Sequence, residues 1–227
     1  MTRIALAVIA ALAVLTGCQT TSTKSSAAVD EAAAAEGLVR AESKTVDALY
    51  RRPEANFSGY TKLLLRPIEV QFSKNWDPAN SGSALYRMNE PDREKIKSEL
   101  AELFMETFKR DVQEKGGYNL VTEPGPDVLE MRAAIVNLYI NAPDVSMQTA
   151  GRTRTYTTDA GEMTLIAQLH DSVTGQLLVR AFDRRASTGT GTWTWTNSVT
   201  NSTEARRIIS TWATALRKAL DAAHGKA

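Results

Sequence analysis

Few residues in this 227-residue chain have the type and spacing for chemistry, and the first is its single cysteine. Cys18 closes the stretch "LTGC" after twelve uninterrupted apolar residues, "IALAVIAALAVL" over 4–15, with Arg3 as the only charge before it. A thiolate is the strong nucleophile among side chains, so Cys18 is a candidate for covalent modification. The two histidines offer less. His170 precedes Asp171 directly, and adjacent residues of a strand point to opposite faces, which misplaces them as a base and its orienting carboxylate. His224 lies near the C-terminus. No G-x-S-x-G elbow occurs for a serine nucleophile, no phosphate-binding Walker loop is present, and one cysteine with two histidines makes no metal-ligand cluster. No cofactor is expected. Asp127, Glu130 and Asp171 are the carboxylates closest to a hydrolytic pair. Two threonine-rich stretches complete the inventory, "GRTRTYTTD" (151–159) and "GTGTWTWTN" (189–197). Each alternates threonine with a large residue: Arg152, Arg154 and Tyr156 in one, Trp193 and Trp195 in the other. Tryptophan, tyrosine and arginine dominate binding hot spots, so these five residues are the candidate partner-binding surface.

The elements that position these residues can be read from period and composition. A basic residue, a short apolar run and a small-residue exit form a secretory signal over 1–17; a membrane span needs about 20 apolar residues. Residues 18–37 hold no aromatic residue and read as a tether with a nascent helix in the Ala-rich part. Residues 38–227 have globular composition and fit one domain. Within it, 89–117 carries Ile96, Leu100, Leu103, Phe104, Phe108 and Val112 at helical spacing, with Asn89 as N-cap and Gly116 as C-cap. A second helix over 202–225 carries Ala205, Ile208, Ile209, Trp212, Leu216 and Leu220 on one stripe. Strands are expected over 60–72, broken by Pro67 as an edge or bulge, and over 117–123, 127–140, 161–171 and 176–185. The order β-α-β-β-β-β-α predicts an α+β fold, a single mainly antiparallel sheet with two amphipathic helices on one face. A hairpin turn at "DSVTG" sets Asp171 opposite Gln176. Carried outward without a slip, that register predicts Trp193 opposite Arg154 and Trp195 opposite Arg152, a ladder in which guanidinium stacks on indole.

Two resemblances follow from these stretches. "LTGC" (Leu15, Thr16, Gly17, Cys18) resembles the lipobox of bacterial lipoproteins. That implies cleavage before Cys18, with Leu15, Thr16 and Gly17 recognised by the signal peptidase, then a diacylglyceride and an acyl chain such as palmitate on the new N-terminal cysteine. Gln19, where aspartate would signal inner-membrane retention, implies the periplasmic face of the outer membrane. "NFSGYTKLLLRPIEVQF", "GYNLVTEPGPDVLEMRAAIVNL" and "AGEMTLIAQLHDSVTGQLLVRAFDRR" are similar to the marker segments of a bacterial lipoprotein family catalogued as domain of unknown function 3313. That resemblance runs from about residue 38 to the C-terminus and implies location and fold.

Charge narrows the partners. The chain has 27 basic and 26 acidic residues; loss of Arg3 with 1–17 leaves 26 of each, so the processed chain is neutral. Neutrality argues against nucleic acid or anionic lipid surfaces as partners. The expected role is an outer-membrane-anchored periplasmic lipoprotein, held to the membrane by lipid, that binds an envelope protein or glycan without catalysis. The alternative is an envelope hydrolase acting on glycan or lipid through paired carboxylates.

Overall fold

The computed structural model describes residues 22–76, 90–140, 155–157, 161–186, 194–196 and 198–226. Its elements are α1 (Ser22–Ala35), β1 (Val39–Ala41), β2 (Ala48–Arg51), β3 (Lys62–Leu65), β4 (Glu69–Phe72), α2 (Glu90–Phe108), β5 (Asn119–Val121), β6 (Val128–Ile140), β7 (Thr155–Thr157), β8 (Gly161–Asp171), β9 (Leu177–Ala186), β10 (Thr194–Thr196) and α3 (Ser198–Ala223). A π-helical turn, Lys109–Glu114, prolongs α2.

Eight strands form one mixed sheet in the order β1-β2-β9-β8-β6-β3-β5, with β4 also paired to β6. The chain is α+β, as the sequence predicts, with three described helices rather than two. Antiparallel pairing joins β1, β2, β9, β8 and β6 in series. The three contacts of β3 and β4 are parallel: β3 with β5, β3 with β6, and β4 with β6. The sheet is thus mainly antiparallel, as expected, with a parallel part at β3, β4 and β5. Its cause is α2, a crossover that returns the chain to the end where β3 began, so β5 has to run alongside β3. Because β5 is only three residues long, the loop over 122–127 can bring the chain back past β3 to start β6 in the same direction.

The expected strand over 60–72 is two strands. β3 pairs through Leu65 with Met131, β4 resumes at Glu69 opposite Ala134, and Pro67 falls in the gap. Proline has no N–H to give a ladder, and the last bond before it runs from the Arg66 N–H to the Met131 carbonyl, 3.0 Å.

Both long helices pack on one face, as their periodicity requires. Leu100, Phe104, Phe108 and Val112 meet Ile208, Ile209, Trp212 and Leu220 over Leu129, Met131, Ile135, Met163 and Leu165, all buried. Phe104 and Phe108 stack with ring centroids 4.2 Å apart. Each such side chain contributes about 1.5–3 kcal/mol by leaving water. The cap of α2 differs from expectation: Gly117, with φ +70°, takes the left-handed position, while Asn89 lies outside the described residues. Gly116 is tightly packed instead, since a Cβ there would meet the Val112 carbonyl and Arg217.

Two carboxylates are buried beside the helices. Asp183 accepts from Trp212 Nε1 at 2.6 Å, from Arg185 Nε at 2.5 Å and from the Asp47 N–H at 3.1 Å. Asp111, in the π-helical turn, accepts from Ser210 of α3, from Arg110 Nε at 3.0 Å and from Lys115 Nζ at 2.6 Å. Burial alone would raise the Asp111 pKa; the bonds from Arg110, Lys115 and Ser210 outweigh it and hold the group at about 2.

The segment read as a tether is helical over Ser22–Ala35 and docks on the second face of the sheet. Ala33 is fully buried with Leu38 and Tyr50, flanked by Val29, Ala48, Leu177 and Phe182. An alanine-rich helix buries its methyl groups with no loss of side-chain entropy, which explains how a segment without large apolar residues can be seated.

Two outcomes are expected. Gly161 has φ +128°, and a Cβ there would overlap the Tyr139 carbonyl oxygen, so Gly161→Ala should lose about 3 kcal/mol in urea unfolding. The Asp111 pKa lies below its ordinary 3.8, so its stabilisation is present above pH 4 and is lost as pH falls through about 2. Asp111→Asn should remove about 2 kcal/mol of that acid sensitivity, measured as unfolding free energy from pH 5 to pH 2.

Candidate functional site

The three stretches that carry the sequence resemblance converge at one end of the sheet, the end bearing the β8–β9 turn. Tyr60 reaches from the segment before β3 and donates to Asp171 Oδ2 at 2.8 Å. Asp171 Oδ1 accepts from the N–H groups of Val173 and Thr174, at 3.0 and 2.7 Å, and from the Thr174 hydroxyl at 2.8 Å. An aspartate that closes a turn in this way is the usual reason for its place there. Ser172 exchanges bonds with Gly125: the Gly125 N–H donates to Ser172 Oγ at 3.0 Å, and Ser172 Oγ donates to the Gly125 carbonyl at 2.9 Å. Asp127 accepts from Thr61 Oγ1 at 2.9 Å and pairs with Lys62 Nζ at 3.1 Å.

Electrostatics make this cluster a latch. The Thr174 N–H, with Tyr60, holds the Asp171 carboxyl below the usual carboxylate range, and Lys62 with Thr61 does the same for Asp127. Burial, then Asp171, pushes the Tyr60 phenol up to about 12. A general acid needs a pKa near the working pH. Two ionised, hydrogen-bonded carboxylates and a protonated phenol hold three chain segments together and have no proton to exchange near neutrality.

Glu130 stands one row further in. Strand alternation places it on the face of β6 opposite Leu129 and Met131, yet it too is buried, at 3 % exposure. Arg132 Nε bonds its Oε1 at 2.6 Å, and Arg66 approaches at 3.2 Å from the gap beside Pro67. Arg66 first, then Arg132, keep its pKa low against the cost of burial. Asp127, Glu130 and Asp171, the carboxylates the sequence singled out, are thus each held by a cation, hydroxyl or turn N–H. His170 faces Glu130 across the ladder, and its Nδ1 lies 3.0 Å from the Gly175 carbonyl. It shares no bond with Asp171, as strand geometry requires. Among the described residues no group of His, Cys, Asp and Glu gathers as metal ligands, and no described helix is long and apolar enough to cross a membrane.

The threonine-rich stretches pair, in a register other than the one expected. β7 and β10 form a separate antiparallel ribbon with Thr194 opposite Thr157, Trp195 opposite Tyr156 and Thr196 opposite Thr155. Trp195 therefore does not face Arg152; its partner is displaced by four residues. Part of the slip is visible between Leu169 and His170, where the β8–β9 register shifts. Arg152, Arg154 and Trp193 lie outside the described residues, as do Leu15, Thr16, Gly17 and Cys18. Sequence reasoning overlooked Tyr60, Ser172 and Arg66. All three stand in the quoted marker stretches, Arg66 as the residue before Pro67.

A family model described as a protein of unknown function (DUF3313) matches residues 25–216, and the chain belongs to that family. No curated protein matches the chain. Among solved structures the chain is similar to a PelC dodecamer from Paraburkholderia phytofirmans, with 10 % identity, 74 % of this chain and 96 % of that chain covered, and a TM-score of 0.36. It is also similar to a minor lipoprotein from Acinetobacter baumannii, at 12 % identity over 74 % and 95 % of the two chains and a TM-score of 0.34. A protein from Xanthomonas campestris has 13 % identity over 72 % and 85 %, with a TM-score of 0.33. At that distance they lend neither an assembly nor a ligand to this chain.

The ribbon register has a direct check. Directly opposed strand positions bring Cα atoms within disulfide range. In a form beginning at residue 22, Tyr156→Cys with Trp195→Cys should oxidise to a disulfide, and Arg152→Cys with Trp195→Cys should not; non-reducing mass spectrometry reads both.

Proposed function

We propose that this chain is an outer-membrane-anchored periplasmic lipoprotein working as a non-catalytic binding or accessory module of the cell envelope. One observation carries the reading: Arg3, the apolar run 4–15 and "LTGC" in unbroken order ahead of the only cysteine. Residues 1–17 are then the signal peptide, Leu15, Thr16 and Gly17 fit the peptidase, and Cys18 bears the lipid. Several acyl chains hold a protein stably where one does not, so triacylated Cys18 is a sufficient anchor without a spanning helix. Gln19 favours delivery to the outer membrane. The module is the sheet and its helices, and the partner surface is the threonine-rich pair that includes Arg152, Arg154, Tyr156, Trp193 and Trp195. The held state of Asp127, Glu130 and Asp171 supports binding over hydrolysis.

Cys18→Ser tests the reading. The variant should accumulate as the precursor of full length with no acyl label, while the unaltered chain is cleaved and takes up labelled palmitate. A Cys18→Ser chain that is still cleaved and labelled would remove the basis of the proposal.

A further inference from the structure

The N-terminus of α1 and the β7–β10 ribbon lie toward the same end of the sheet, and that placement bears on what the ribbon meets. α1 leads into β1 through residues 36–38, and Val39 is level with Arg51 at the far end of β2. The C-terminal end of α1 is therefore at the end of the sheet that carries the β8–β9 turn. There the Glu36 carbonyl accepts from Arg52 at 2.7 Å, and Glu36 pairs with Arg180 at 2.7 Å. Earlier in α1, Asp30 accepts from Tyr50 Oη at 2.5 Å and from Arg40 at 3.2 Å. Val29 and Ala33 belong to the cluster that includes Ala48 and Phe182. Residues 48 and 182 form the second rung beyond Tyr50 and Arg180, away from the turn. α1 thus runs in the sense of β2, and its N-terminus points to the opposite end of the sheet.

That opposite end is where β8 begins and β9 finishes, with Glu162 opposite Ala186. The ribbon joins it there: three residues separate Thr157 from Gly161, and seven separate Ala186 from Thr194. β6 also finishes there, where Tyr139, opposite Glu162, is 37 % exposed. From Asp30 back to Ser22, α1 extends about 12 Å toward this end at 1.5 Å per residue. Only residues 19–21 separate Ser22 from Cys18, a reach of at most about 14 Å even fully extended. A lipid on Cys18 therefore draws the ribbon end of the sheet toward the headgroups, and the latch end with its ionised aspartates away from them. Tryptophan and tyrosine favour that boundary, where the ring leaves water and its polar atom stays wet.

We propose that the β7–β10 ribbon, through the Tyr156–Trp195 rung, docks on the phospholipid surface in which Cys18 is anchored. The inference rests on the lipidation proposed above and names the bilayer as the occupant of that rung. Lipidation leaves the chain without a free thiol, so one introduced cysteine takes one dye. The full-length lipidated protein, carrying dye at Trp195→Cys or, as a second variant, Thr194→Cys, is reconstituted in uncharged phosphatidylethanolamine–phosphatidylcholine vesicles containing brominated acyl chains. Dye at Val173→Cys, 64 % exposed in the β8–β9 turn, is the far-end comparison. The expected result is loss of fluorescence at 195 and 194 and none at 173. Equal quenching at both ends, or none at 195 and 194, overturns the proposal, as does a dye at 195 that is unquenched in vesicles and shielded only by an envelope protein. Acyl label on Cys18 is measured in the same sample. Labelled, vesicle-bound protein with an unquenched ribbon defeats this inference alone, whereas unlabelled protein defeats the lipoprotein reading beneath it.

Discussion

Everything in this fold hangs on the two edges of β6. Thirteen residues of extended chain carry donors and acceptors on both sides, and buried backbone groups tolerate very few vacancies. One edge is met by β8 along nearly its whole length. The other is met by β3 and then β4 in series, because a single strand containing Pro67 could not supply every donor. The break opens a place where Arg66 reaches Glu130. A proline that interrupts a ladder and an arginine that neutralises a buried carboxylate thus belong to one local solution.

Burial of charge follows a common rule in three places. Asp111, Asp183 and Glu130 are almost fully enclosed, and each accepts from groups on a different element or from flanking arginines. An enclosed carboxylate without partners is strongly unfavourable, so these groups specify which surfaces meet. Asp111 fixes the π-helical turn against α3 through Ser210. Asp183 fixes Trp212 of α3 and the backbone at Asp47 to β9. Asp111 and Val112 of the π-helical turn are both buried.

Much of this was legible in the chain itself. Helices with strong 3.6-residue periodicity, the hairpin at Gly175 and the interruption at Pro67 all depend on local patterning, and local patterning is what a sequence displays. Strand direction was not legible, because β3 and β5 are short and their sense is imposed by the helix between them. Nor was docking of α1: alanines give almost no amphipathic signal, and the seat is built from Tyr50 and Phe182, far away in sequence. Glu130 misled for a related reason, since its neutralising partner Arg66 sits 64 residues upstream. The ribbon register failed because a slip of a few residues accumulates along an arm, while sequence alternation constrains only its parity. The candidate surface residues Tyr156 and Trp195 were visible as composition; their pairing with each other was not.

The pairing of β2 with β9 has a consequence for how the chain comes to be folded. Tyr50 lies opposite Arg180, so an early strand is seated only by one that emerges from the ribosome near the end. Non-local pairing of this kind is slow to form, because the loop must close before its contacts repay the lost entropy. A chain emerging N-terminus first can assemble β3, α2 and β6 while the paired β1 and β2 still lack β9. The α1–β1–β2 corner is thus seated on the sheet only once β9 has appeared.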